Sequence, residues 1–172
     1  GYNGGAVETT SHGIDLLDDE LEPVFEVADQ TGAPILVHPK LHDSLGEGVL
    51  NDRWRLNAIF GREVALARSI CKLIHDGVYD QYPDLKLVFH HTGGNLPSML
   101  DRVHLQLDEG RWPGLENLKS YGEFEAQFAE RVFLDSSGYF GERAPARRTL
   151  ETLSTENFLF ATDFPYETRA PE

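Results

Sequence analysis

Leu85-Lys86-Leu87-Val88-Phe89-His90-His91-Thr92-Gly93-Gly94 is the stretch on which the fold turns. An almost unbroken apolar run ends in two imidazoles and then in two glycines. A run this short and this hydrophobic reads as a strand buried on both faces, the habit of a parallel sheet. Working outward, the same form recurs at Ala33-Pro34-Ile35-Leu36-Val37-His38, Arg131-Val132-Phe133-Leu134-Asp135 and Asn157-Phe158-Leu159-Phe160-Ala161. A weaker strand precedes them at Gly5-Ala6-Val7-Glu8-Thr9-Thr10.

Helical patterns fill the gaps. The carboxylates of Asp18-Asp19-Glu20 cap and charge the start of a helix through Leu21, Val24, Phe25 and Ala28, which Gly32 stops. Ile59, Ala65, Ala67, Ile70, Cys71 and Ile74 give a helical rhythm over residues 54–77, ahead of the Tyr82-Pro83-Asp84 turn. Leu100, Val103 and Leu107 mark a helix from about Pro97, and residues 121–130 and 144–153 supply two more. Strand and helix alternate, so the chain is α/β with a parallel sheet. No linker or repeat divides it, and residues 1–172 read as a single unit. Two arrangements fit: a doubly wound open sheet, or part of a (β/α)8 TIM-type barrel, which usually needs ~250 residues and eight strands.

The chain carries 15 Lys and Arg against 29 Asp and Glu, a net charge of −14, with 40% hydrophobic residues. That balance argues against nucleic acid or an anionic membrane as partner, because both need a basic footprint. The single cysteine, Cys71, has no disulfide partner and sits in an apolar helical stretch, which points to packing and a cytoplasmic location. No apolar run approaches the ~20 residues of a membrane span. The first residue is Gly1 and the one methionine is Met99, so an upstream portion is expected.

The chemistry-bearing residues stand at strand ends. Val37-His38-Pro39, His90-His91-Thr92-Gly93-Gly94 and Ala161-Thr162-Asp163-Phe164-Pro165 each pass from an apolar run to a ligand-type side chain. In a parallel fold all these ends lie at one face, so residues 53 and 72 positions apart converge. Two imidazoles and a carboxylate suit a divalent metal ion, zinc (Zn) by preference. Alternation along a strand lets only one of His90 and His91 face the centre, and the glycine turn favours His91, leaving His90 to pack or orient. His42 is close enough to line the pocket mouth, as is Lys40; Ser136 and Ser137 follow another strand end, where turn roles explain them equally well. His12, His75 and His104 read as surface or helix residues.

His38 in LVHP, His91 in HHTGGNLPSMLDR and Asp163 in FATDFPYE resemble three signature segments of the amidohydrolase-related (amidohydrolase 2) family. The stretches Leu17-Asp18-Asp19-Glu20-Leu21-Glu22-Pro23-Val24-Phe25 and Gly77-Val78-Tyr79-Asp80-Gln81-Tyr82-Pro83-Asp84-Leu85-Lys86 are similar to it too, so the resemblance covers nearly the whole chain. It implies a distorted (β/α)8 barrel of which this chain is the C-terminal portion, with a divalent metal at the strand ends. By matching position, His38 and Asp163 are metal ligands, His91 and Asp163 are catalytic, and Arg102 binds a substrate carboxylate, in some relatives from the adjacent subunit; a surface salt bridge explains Arg102 equally well. A homodimer is implied as well. The family's first-strand His-x-His or Glu-x-His pair does not occur in these residues, so the fragment alone is expected to hold metal poorly.

The activity this implies is non-oxidative decarboxylation of a small carboxylate-bearing substrate, with hydrolysis of a C–N or ester/lactone bond as the alternative. A non-catalytic barrel fragment or scaffold, and a phosphate-binding protein using Gly93-Gly94, are the readings from other classes. No GxSxG, P-loop or GxGxxG is present.

Overall fold

The computed structural model describes residues 3–42, 45, 48–138 and 143–166. Strand β1 (Gly5–Glu8) opens the main sheet, and β2 (Thr10–Ser11) and β3 (Ile14–Asp15) pair as a small antiparallel hairpin. Helix α1 (Glu22–Thr31) has proline in its first turn and ends at Gly32, whose φ of 64° is free of strain only without a Cβ. Then come β4 (Ile35–His38), α2 (Arg62–His75), the single turn α3 (Val78–Gln81) and β5 (Leu87–Phe89). The chain continues through α4 (Leu100–Gln106), α5 (Tyr121–Arg131), β6 (Phe133–Asp135), α6 (Arg143–Thr152) and β7 (Phe158–Leu159).

The sheet runs β1-β4-β5-β6-β7, every pair parallel. Each new strand joins beside the last. A doubly wound sheet reverses its order at a switch point, and among the described strands no reversal occurs.

Register divides the side chains into two faces. Val7, Val37, Phe89, Leu134 and Phe158 lie in one row, and Val37, Phe89 and Leu134 are wholly buried. They join Phe25, Leu66, Ile70, Phe124 and Phe128 in the core, so this is the face the helices cover. Each wholly buried side chain of this size contributes ~1.5–3 kcal/mol over its exposed state. The opposite face carries Leu36, 42% exposed, and Leu159, 40% exposed, together with the half-buried His38. Such exposure is unusual for residues in a parallel sheet, which normally buries both faces.

Two local expectations change. Asp18 makes no side-chain cap; its carboxylate instead accepts from the Asp15 backbone N–H at 2.8 Å, closing the turn after the hairpin. The helix expected over 54–77 begins later, because Trp54 and Arg55 adopt φ of 61° and 59° and Asn57–Gly61 forms a π-helical turn before α2. Apolar spacing alone cannot distinguish that wide turn from an α-helical one. At Gly61 it brings the backbone against Leu41, where a Cβ would lie 2.9 Å from a Leu41 methyl.

Candidate functional site

The polar side chains gather where strands stop. His38 closes β4 directly across the ladder from Glu8. Beyond Phe89 the ladder continues for one step, since the His90 N–H donates to the Val37 carbonyl at 3.2 Å. His90 therefore keeps to the alternation and lands on the helix-free face beside His38, with ring centroids 5.5 Å apart. At His91 the backbone turns to φ 54°, and this brings the second imidazole round to 6.4 Å from both other rings. Both histidines thus reach the site, where alternation allowed one. The rule holds only while the backbone stays extended.

Each ring has different neighbours. His90 Nδ1 lies 3.0 Å from Asp135 Oδ2 and 3.3 Å from the Ser137 hydroxyl. Asp135 is buried, and its other oxygen accepts from the backbone N–H of His91 at 3.2 Å and of Ser137 at 3.0 Å. Burial alone would push the Asp135 carboxyl up, but the His90 and Ser137 hydrogen bonds outweigh it and hold it below the usual range. Burial pulls His90 down, and the bond and charge of Asp135 more than reverse this, so His90 protonates more readily than free imidazole. His38 goes the other way. Burial and the charges of His90 and His91 lower it against the pull of Asp163, which favours the neutral, electron-pair-donating ring.

His91 is 6% exposed and most constrained. Its Nδ1 lies 3.0 Å from Glu63 Oε1, and Nε2 is buried with no hydrogen-bond partner, 3.9 Å from Asp163 Oδ2. That last separation is too long for a hydrogen bond. Asp163 has φ 58°, a region that Asp enters more readily than most residues. The segment before it is pinned to β6 by the Ser136 hydroxyl, which donates to the Ala161 carbonyl at 2.9 Å and accepts from its N–H at 3.0 Å.

The other sequence candidates lie elsewhere. His42 lines a small cavity with Thr9, Thr10, Lys40, Ala65 and Arg68, none of which belongs to the imidazole group. Lys40 pairs with Glu8 at 3.3 Å. Arg102 is exposed on α4 and makes no ion pair among the described residues. Ser137 serves Asp135 and Ser136 serves the Ala161 backbone, so both hydroxyls are structural. His75 accepts from the Lys119 N–H at 3.2 Å, and His104 stacks on Tyr121 at 4.1 Å. Cys71 packs against the core, where burial lifts its thiol to about 11. The two glycines have packing reasons: a Cβ at Gly93 would strike Leu134 and Ile70, and one at Gly94 would strike the Glu63 carbonyl.

Two participants escaped the sequence reading. Glu63 sits at a polar position of a helix with no local motif around it, and Asp135 looked like the end of a strand. Neither carries a signal at the level of spacing; only the tertiary approach to an imidazole reveals them.

As a cation site the donor types fit. A neutral imidazole, a carboxylate and a buried, unpartnered ring nitrogen face one region. The count does not close: among the described residues no group of three His, Cys, Asp or Glu is placed to hold a metal ion.

Comparison with known proteins places the chain among its relatives. The model of the amidohydrolase family matches residues 1–172. The chain is 30% identical over 103 residues to the 2-amino-3-carboxymuconate-6-semialdehyde decarboxylase of Dictyostelium discoideum, across 60% of this chain and 28% of that protein. The 5-carboxyvanillate decarboxylase of Sphingomonas paucimobilis superposes with a TM-score of 0.79 at 25% identity, across 98% of this chain and 50% of that one. The Novosphingobium aromaticivorans 5-carboxyvanillate decarboxylase, solved with manganese and 4-hydroxy-3-methoxy-5-nitrobenzoic acid, has the same fold at TM-score 0.80 and 24% identity, over 94% of this chain and 46% of its own. The chain therefore spans about half or less of the length of these proteins. With the family model covering residues 1–172, the chain belongs to the amidohydrolase family.

Proposed function

We propose that this chain is the C-terminal portion of a (β/α)8 barrel, a single unit over residues 1–172, and that the whole protein is a metal-dependent carbon–carbon lyase. Its reaction is the non-oxidative decarboxylation of a small aromatic or related carboxylate. Strands added in chain order without reversal, and a helix-free face carrying exposed Leu36 and Leu159, support the barrel. The observation that carries the activity is the convergence of His38, His90, His91 and Asp163 at and beyond the ends of parallel strands of one sheet.

His38 and Asp163 would hold a divalent cation together with donors from outside the described residues. That ion would draw electron density from a substrate oxygen and help fix the carboxylate. Zinc follows from the imidazole and carboxylate donors, and manganese is the ion in a related structure. The chain's own residues supply the rest. In decarboxylation the carbon–carbon bond breaks with its electron pair left on the substrate, carbon dioxide departs and a proton takes its place. His91, with Nε2 aimed at the site, is placed to take up a proton on that atom and deliver it to the carbon that loses carbon dioxide. His90, made more basic by Asp135, takes on more readily the positive charge that would attract a substrate carboxylate.

Arg102, exposed and without an ion pair among the described residues, fits a role at the site of an adjacent copy in a homodimer. His42, on the loop after β4, is assigned to the rim of the substrate pocket. No helix among the described residues is long and apolar enough to cross a membrane; a cytoplasmic location belongs to the same reading.

The test is carbon dioxide release from hydroxylated benzoates and carboxymuconate-type acids by the full-length protein, before and after chelation and reloading with zinc or manganese. Release restored by metal and abolished by His91→Ala is the expected result. Hydrolysis of amide or lactone substrates without any carbon dioxide release would overturn it.

A further inference from the structure

We propose that Glu63 is a positioning residue: it fixes the tautomer and orientation of His91 so that Nε2 presents a lone pair to the site. The inference rests on the proposed catalytic part of His91. The argument begins with donors and acceptors. An ionised carboxylate only accepts, so the 3.0 Å contact requires the proton on His91 Nδ1. In the neutral ring Nε2 is then the acceptor. That atom is fully buried, has no partner and stands 3.9 Å from the Asp163 carboxylate. Were the proton on Nε2 instead, a donor would be buried without an acceptor in hydrogen-bonding range and the Glu63 carboxylate would face a bare lone pair. Both changes are unfavourable, each on the scale of an unmade buried hydrogen bond.

Backbone geometry shows how Glu63 comes to be there. It lies in the first turn of α2, directly after the π-helical turn Asn57–Gly61. Single π turns widen a helix and redirect the side chains that follow. The α2 backbone approaches the Gly93-Gly94 turn so closely that a Cβ on Gly94 would lie 2.1 Å from the Glu63 carbonyl oxygen. On its other side the His91 ring packs on Gly138, where a Cβ would come within 2.6 Å of the ring. The ring is held between a glycine surface and a carboxylate, while its backbone N–H is anchored by Asp135 at 3.2 Å. A purely local explanation of Glu63, an acidic group favouring a helix N-terminus, accounts for its sequence position but not for the bond.

The experiment compares Glu63→Ala and Glu63→Gln in the full-length protein, reading His91 by nitrogen-15 NMR, with the signal assigned by its loss in His91→Gln. Wild type is expected to show a pyrrole-like Nδ1 and a pyridine-like Nε2. Glu63→Ala is expected to mix the tautomers and to lower kcat roughly tenfold to a hundredfold, with KM changed far less. Glu63→Gln can still accept through its amide oxygen, so it should keep the tautomer and recover most of kcat. A helix-terminus role would move thermal stability and leave both readouts alone. Unchanged His91 signals in Glu63→Ala, or kcat within twofold of wild type at equal metal content, overturn the proposal. If Glu63→Ala does not fold, Glu63→Gln decides, because a scrambled tautomer there contradicts the acceptor argument and a retained one supports it. A wild-type protein inert toward every carboxylate defeats the proposed function, whereas the His91 signal still decides the part played by Glu63.

Discussion

Gly94→Ala perturbs the point at which fold and site meet. The added methyl would stand 2.1 Å from the Glu63 carbonyl oxygen, 2.9 Å from its carbon and 3.0 Å from the Ala67 nitrogen. Ordinary contact begins near 3.4 Å, so the first turn of α2 must retreat by about 1.3 Å, and these are backbone atoms that cannot rotate away. Overpacking of this kind costs ~1–3 kcal/mol. A φ of +68° adds ~1–2 kcal/mol for any residue with a Cβ. The expected destabilisation is therefore about 2–5 kcal/mol, read as a fall in urea midpoint at unchanged slope. Gly32→Ala is the matched control, since its φ is +64° and nothing lies within 4 Å of the added atom. It should show the backbone cost alone. The same retreat would stretch the 3.0 Å Glu63–His91 contact beyond hydrogen-bonding range, so turnover should fall with the midpoint. Equal losses of stability in the two variants would refute the close-approach argument.

Removing a proposed metal donor separates the site from its surroundings: His38→Ala or Asp163→Ala should abolish bound divalent metal in elemental analysis of the full-length protein, while His42→Ala and Arg102→Ala leave it unchanged. Asp135→Ala removes the acceptor for two backbone N–H groups and strands His90. A loss of ~3–5 kcal/mol in denaturant titration is expected, the scale for breaking a buried pair. Asp15 gives the pH dependence. Burial opposes its ionisation, but Arg68 and Lys72 outweigh burial and place it below 3.8. A depressed carboxylate stabilises the fold fully above its unfolded value and loses that contribution as pH falls through the folded one. Wild type should therefore lose stability below about pH 3.8, and Asp15→Asn should lose less over that acid range while being weaker at neutral pH. In the core, Leu134→Ala should cost ~2–5 kcal/mol by thermal or chemical melting, since its side chain is wholly buried beneath the Gly93 turn.

How much of this was legible depended on the range of the interaction. The strands at 35–38, 87–89, 133–135 and 158–159 are visible because burial on two faces leaves a compact apolar run. His38, His91 and Asp163 are visible because each follows such a run, and parallel topology brings those ends together whatever lies between them. The π turn before α2 was hidden, because a five-residue insertion of width changes no residue type. The orientation of His90 and His91 was misread for a related reason: whether two successive side chains share a face depends on φ at the second, and His91 lies at 54°. Glu63 was invisible because its partner is 28 residues away and the approach is set by Gly94, whose role shows only when the two backbones are in contact.

The three imidazoles begin with the same intrinsic pKa, ~6.5, and leave with different tasks because each has a different neighbour. His38 has two other rings beside it and is kept neutral, the state in which imidazole binds a cation. His90 has a buried carboxylate at 3.0 Å and leans toward the cation, the state that attracts a substrate carboxylate. His91 has Glu63 on one nitrogen and a buried, unpartnered lone pair on the other, so its neighbour fixes where the proton sits. A single substitution can exchange these tasks. Asp135→Asn should return His90 toward neutrality, and with less positive charge beside it His38 should rise. Metal affinity near neutral pH would then weaken although no ligand has been touched. An unchanged or tighter metal affinity in Asp135→Asn, measured by chelator competition, would show that the charge of His90 does not govern His38 and that this division of roles is wrong.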